Sequence, residues 1–157
     1  MTYIISRIAA VASLVAAAAV TLPIDADAAT PASCYTCSPQ CVPAARTWSG
    51  VNFPRVEYAK DIPAAARKAK FNVTSTPPLG RKSAAVIALG AVDHVVAITK
   101  ASASGKAIDL EVSHANYDCK CSTESVRAKF SNGKITFTGG ALKGRSIAVR
   151  AFISNPK

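Results

Sequence analysis

The stretch 84-AAVIALGAVDHVVAITKASASGKAIDLEVSHANY-117 decides how the rest of the chain is read. Ala84 to Leu89 and Val92 to Thr99 are short apolar runs rich in valine and isoleucine, separated by Gly90, which is the pattern of buried strands. Ala101 to Lys106 reads as a Ser/Gly turn, and Ala107 to Ser113 alternates apolar and polar residues as a half-buried strand does. The expectation is an antiparallel meander. Alternate residues of a strand share a face, so Val112, His114 and Asn116 are expected to point together, away from Glu111, Ser113 and Ala115. Both histidines of the chain, His94 and His114, fall inside this stretch.

Towards the C-terminus the strand pattern continues. Val126 to Phe130 and Ile135 to Thr138 flank Ser131-Asn132-Gly133-Lys134, and Asn-Gly between two apolar runs marks a hairpin. Ser146 to Ile153 supplies a last strand. Towards the N-terminus, Pro77-Pro78-Leu79-Gly80 is a turn and Phe71 to Thr74 a short strand. Before them, Asp61 as N-cap, Pro63 in the first turn and the run Ala64 to Lys70 predict a helix whose basic end suits the dipole. Gln40 to Gly50, Gln-Cys-Val-Pro-Ala-Ala-Arg-Thr-Trp-Ser-Gly, predicts another, with Pro43 near its start and Gly50 as its stop. The fold class expected is α+β, two N-terminal helices packed on an antiparallel sheet of about five or six strands.

The Gln40 to Gly50 helix places Cys41 at a helix N-terminus. Unpaired backbone N–H groups and the positive end of the dipole favour thiolate there, which is one way proteins make a cysteine nucleophilic. A nucleophilic thiol needs a base, and the histidines occur in Asp93-His94-Val95-Val96-Ala97-Ile98 and Val112-Ser113-His114-Ala115-Asn116-Tyr117. The bland alternative is a structural cysteine buried among apolar neighbours.

The first 29 residues are set aside as a secretory signal peptide. Arg7 gives a positive start, Ile8 to Leu22 is apolar apart from Ser13 and Thr21, and Ala26-Asp27-Ala28 precedes Ala29 as a cleavage site does. The run is shorter than the roughly 20 residues that a spanning helix wants, so no stable membrane span is expected after cleavage. The destination is the periplasm or the exterior. Residues 30 to 40 form a cysteine-rich lead-in, and 41 to 157 form one domain. Removing Arg7, Asp25 and Asp27 leaves 18 basic and 7 acidic side chains, a net charge of +11. That charge attracts anionic envelope polymers or simply keeps a secreted chain soluble. Nucleic acid is not expected as a partner, because the basic residues are scattered and no stretch interleaves them with aromatic stacking residues.

Three motifs resemble the CHAP domains (cysteine, histidine-dependent amidohydrolases/peptidases) of bacterial cell-wall hydrolases. Cys41-Val42-Pro43-Ala44-Ala45-Arg46 resembles the family's Cys-Val-x-Tyr-Ala-Arg opening, His94-Val95-Val96-Ala97-Ile98 its Gly-His-Val-Ala-Ile-Val strand, and Ser113-His114-Ala115-Asn116-Tyr117 its His-Ala-Asn-Trp variant. Ala44, Asp93 and Tyr117 depart from the usual aromatic, glycine and tryptophan, yet no reacting group is missing. The resemblance implies a papain-like plan and a thiol-dependent amidase or endopeptidase acting on peptidoglycan, with no particular bond of the wall singled out by the sequence. It implies Cys41 as nucleophile, His94 as base, and His114 or Asn116 as the group that orients the base. No cofactor or metal is called for, and a monomer is expected.

Five cysteines is an odd number. In an exported chain that suggests two disulfides and a free thiol. If Cys41 meets Asn116 at one site, Cys34 and Cys37 lie near Cys119 and Cys121, and these four staple one another. The competing arrangement of the same four is a zinc site with an unusual Cys-x-Cys spacing. Two other classes remain beside the hydrolase: a non-catalytic secreted wall-binding module, and a thiol redox or zinc protein built on Cys34 and Cys37.

Overall fold

The structure is a computed structural model; it describes Ser38 and residues 40–90, 93–117 and 121–156. The expected signal peptide and nearly all of the lead-in lie outside the described residues, as do Cys34, Cys37 and Cys119. Among the described residues two helices precede seven strands: α1 (Cys41–Ser49), a 3-10 turn at Ala59–Asp61, α2 (Ile62–Lys68), β1 (Asn72–Thr74), β2 (Ser83–Ile87), β3 (His94–Ser104), β4 (Ala107–Ala115), β5 (Thr123–Ser131), β6 (Lys134–Phe137) and β7 (Ser146–Ser154).

The α+β arrangement of helices on an open sheet is not what forms. All pairings are antiparallel and run β1-β7-β2-β3-β4-β5-β6, and β6 also pairs with β7 through Lys134↔Ala148, Ile135↔Ile147 and Thr136↔Ser146. Six strands therefore close into a β-barrel, and β1 is an extra strand on β7. The described residues are mostly β, with two short helices on the outside. Two irregularities explain the curl. The β3–β4 register steps from Ile98↔Val112 to Lys100↔Glu111, so Thr99 is an extra residue in β3; the β2–β7 register steps from Val86↔Ala151 to Ile87↔Val149, so Arg150 is extra in β7. Such bulges bend a strand and sharpen its twist, which lets a short sheet meet its own edge.

The bulges also switch which side chains face inwards. In β3, Val96 and Ile98 join the barrel interior before the bulge and Ala101 after it; in β7, Ile147 lies inside before the bulge and Phe152 after it. This interior, filled by residues such as Leu110, Val112, Phe130, Ile135 and Phe137, is one core. A second lies outside the barrel, where Ala45 of α1, Phe53, Ile62 and Ala66 cover Ala84, Val86, Val95 and Ile153. β2 is covered on both faces and buried at all five residues, which is why its sequence runs apolar without alternation.

Local signals mostly work as chemistry requires. Gly50 ends α1 at φ 65°, a left-handed position that suits glycine. Asn132 and Gly133 both have positive φ, 49° and 73°, as a two-residue hairpin turn of this hand needs. The expected Ala101 to Lys106 turn is shorter: β3 continues to Ser104, which pairs with Ala107, leaving Gly105 and Lys106 to make the turn. Asp61 precedes α2 but makes no side-chain capping bond.

Candidate active site

α1 begins at Cys41 and packs on β3 and β4 at the end of the barrel where the histidines sit. The β3–β4 ladder extends only as far as Ala97↔Ser113 on this side, so the first residues of β3 are not paired with β4. The N–H of Val95 instead faces the Cys41 sulfur, as do the N–H groups of Val42 and of Cys41 itself. Cys41 is half-buried and is a free cysteine. Burial pushes its thiol above the ordinary range, and the three N–H groups only partly offset that. The helix N-terminus thus supplies the expected donors, but desolvation outweighs them.

His94 opens β3 and is 5% exposed; His114, near the end of β4, is 1% exposed. Their rings meet edge to face with centroids 6.2 Å apart. Burial, and secondarily the charge of His114, lower the His94 pKa to about 3. His94 is accordingly a neutral imidazole at ordinary pH, and its Nε2 has no hydrogen-bond partner among the described residues. His114 also packs edge to face on Tyr117 at 5.4 Å and Phe137 at 6.2 Å.

Asn116 does not continue the strand face of His114. β4 stops at Ala115, and Asn116 adopts φ 54°. Its N–H donates to Ser122 O at 2.7 Å, its Oδ1 accepts from Cys121 N–H at 3.3 Å, and its Nδ2 donates to Gln40 Oε1 at 3.4 Å. Asn116 therefore ties the loop after β4 to the residue before Cys41. Asp93 sits just before β3 at φ 58° and accepts from Arg150 Nε at 3.2 Å, a contact made by the bulged residue of β7. Cys121 is disulfide-bonded, and its partner is outside the described residues.

Cys41, His94, His114 and Asn116 are thus gathered at one barrel end. Two further residues join them that motif reading missed. Gln40 had a signal in its position immediately before the thiol; Glu124 had none, since only the register His114↔Glu124 brings it across. Among the described residues no group of His, Cys, Asp and Glu could hold a metal ion, and no helix there is long and apolar enough to cross a membrane. No family model, no curated protein and no solved structure matches the chain.

Proposed function

We propose that the chain is an exported thiol hydrolase that cleaves an amide bond of peptidoglycan, with Cys41 as nucleophile and His94 as base. The observation that carries this reading is the free Cys41 thiol at the start of α1, held against the N–H of the residue that follows His94. Because thiol and imidazole both favour their neutral forms, the base acts during attack rather than before it. The Cys41 sulfur bonds to the carbonyl carbon as its proton passes to His94. His94 then gives that proton to the amine nitrogen as the C–N bond breaks, leaving a thioester. Water, deprotonated by His94, attacks the thioester; the acid leaves and the thiol recovers its proton. The His114 ring beside His94 orients the base, while Asn116 holds Gln40 and the loop after β4. The motif resemblance, the export signal and the basic charge supply the substrate class.

A dye-release assay on purified peptidoglycan tests this reading. Cys41→Ala and His94→Ala each abolish release while circular dichroism stays unchanged, and His114→Ala leaves a residue of activity because nucleophile and base survive. Release that survives Cys41→Ala overturns the proposal. The burial that disfavours the thiolate favours a second reading, a non-catalytic wall-binding module. In that case the unaltered protein sediments with peptidoglycan and releases no dye.

A further inference from the structure

Glu124 lies on β5 directly across from His114, and its Oε2 is 3.6 Å from His114 Nε2. The carboxylate is not a wandering surface group. Ala141 N–H donates to it, 3.0 Å from Oε2 and 3.3 Å from Oε1, and its side chain is 27% exposed. The loop after β6 is shaped for it: Gly140 has φ 68°, and a Cβ there would lie 2.2 Å from Glu124 Oε2 and 2.6 Å from Val126 Cγ1. Only glycine lets this loop approach the carboxylate so closely. The His114 ring also meets His94 edge to face, with centroids 6.2 Å apart.

We infer that Glu124 is a positioning residue: its carboxylate, clamped by the Gly140–Ala141 loop, fixes the orientation and charge of His114 and, through that ring, of His94. This deepens the hydrolase reading by adding a group behind the base, and it rests on that reading only for its effect on turnover. Glu124 faces His114 from β5 and Tyr117 from beyond β4; Cys41 of α1 lies against the N–H of Val95, next in sequence to His94, and Asp93, beside His94, is bonded to Arg150 of β7. A carboxylate beside His114 favours its imidazolium, and a charged His114 opposes a second positive charge on His94. The two histidines therefore answer a loss of Glu124 in opposite directions.

Imidazole signals of the full chain, followed by NMR against pH, test this without any substrate. In Glu124→Gln the His114 titration moves to lower pH and that of His94 to higher pH. Gly140→Ala, which displaces the carboxylate, shifts each histidine in the direction that Glu124→Gln does, but adds nothing in a Glu124→Ala background. Titration curves superimposable on those of the unaltered protein, or a Gly140→Ala effect that persists without Glu124, overturn the inference. On peptidoglycan, Glu124→Gln lowers turnover about tenfold with KM little changed. Opposite histidine shifts in a protein that never hydrolyses the wall support Glu124 and overturn the hydrolase. Hydrolysis with no histidine shifts overturns Glu124 and leaves the hydrolase standing.

Discussion

A half-buried thiol at the same barrel end as a buried imidazole raises the question of where their proton rests, and the answer is testable at Cys41. Desolvation raises the thiol from its ordinary 9.0 and drives His94 down to about 3, so each group favours its neutral form. Alkylation of Cys41 by iodoacetamide is therefore expected to be slow at pH 7 and to accelerate only above the range of an ordinary thiol. His94→Ala leaves that profile nearly unchanged while abolishing hydrolysis, because a neutral imidazole adds no charge to stabilise the thiolate. Fast alkylation near pH 6 that disappears in His94→Ala would show an ion pair instead. Cys41, His94 and His114 are legible in the sequence because their side chains are reactive types set in short motifs. The hydrogen bond from Asn116 to Gln40 is not, because it joins residues 76 positions apart, nor is Glu124, which meets His114 only through strand register.

At the scale of elements, the readable features are those with local causes. Gly50 illustrates one: it caps α1 at φ 65°, and a Cβ built there meets nothing within 4 Å. Gly50→Ala should then cost about 1 kcal/mol through backbone conformation alone, with no packing contribution. Urea unfolding measures it, and a neutral result would mean the helix end rearranges at no cost. Asn132-Gly133 is legible for the same reason, since both positions need positive φ. The bulges at Thr99 and Arg150 are different. A run such as Ala97-Ile98-Thr99-Lys100-Ala101 carries no mark of an inserted residue; the facing strand alone defines it. With the alternation broken there, Ala101 to Ser104 looks like a loop and is strand.

Those unread bulges are also why an open sheet is expected and a barrel forms. Closure places His94 and His114 at one end of the barrel, largely out of water, and so makes the stability of the whole molecule depend on pH. An exposed His94 in the unfolded chain binds a proton below about 6.5, whereas the folded chain refuses it until about pH 3. Between these values the unfolded state holds more protons, so stability rises with pH. The contribution of His94 is complete above pH 6.5 and is lost as pH falls towards 3, at up to about 1.4 kcal/mol per pH unit. Urea midpoints measured from pH 7 down to pH 4.5 should fall accordingly, and His94→Asn, which has no proton to refuse, should flatten the slope. Carboxylates titrate in both proteins, so the difference between the two curves reports His94 together with its charge coupling to His114. Parallel curves would mean that His94 takes up its proton within the folded barrel, with water or a rearranged His114 accommodating the charge.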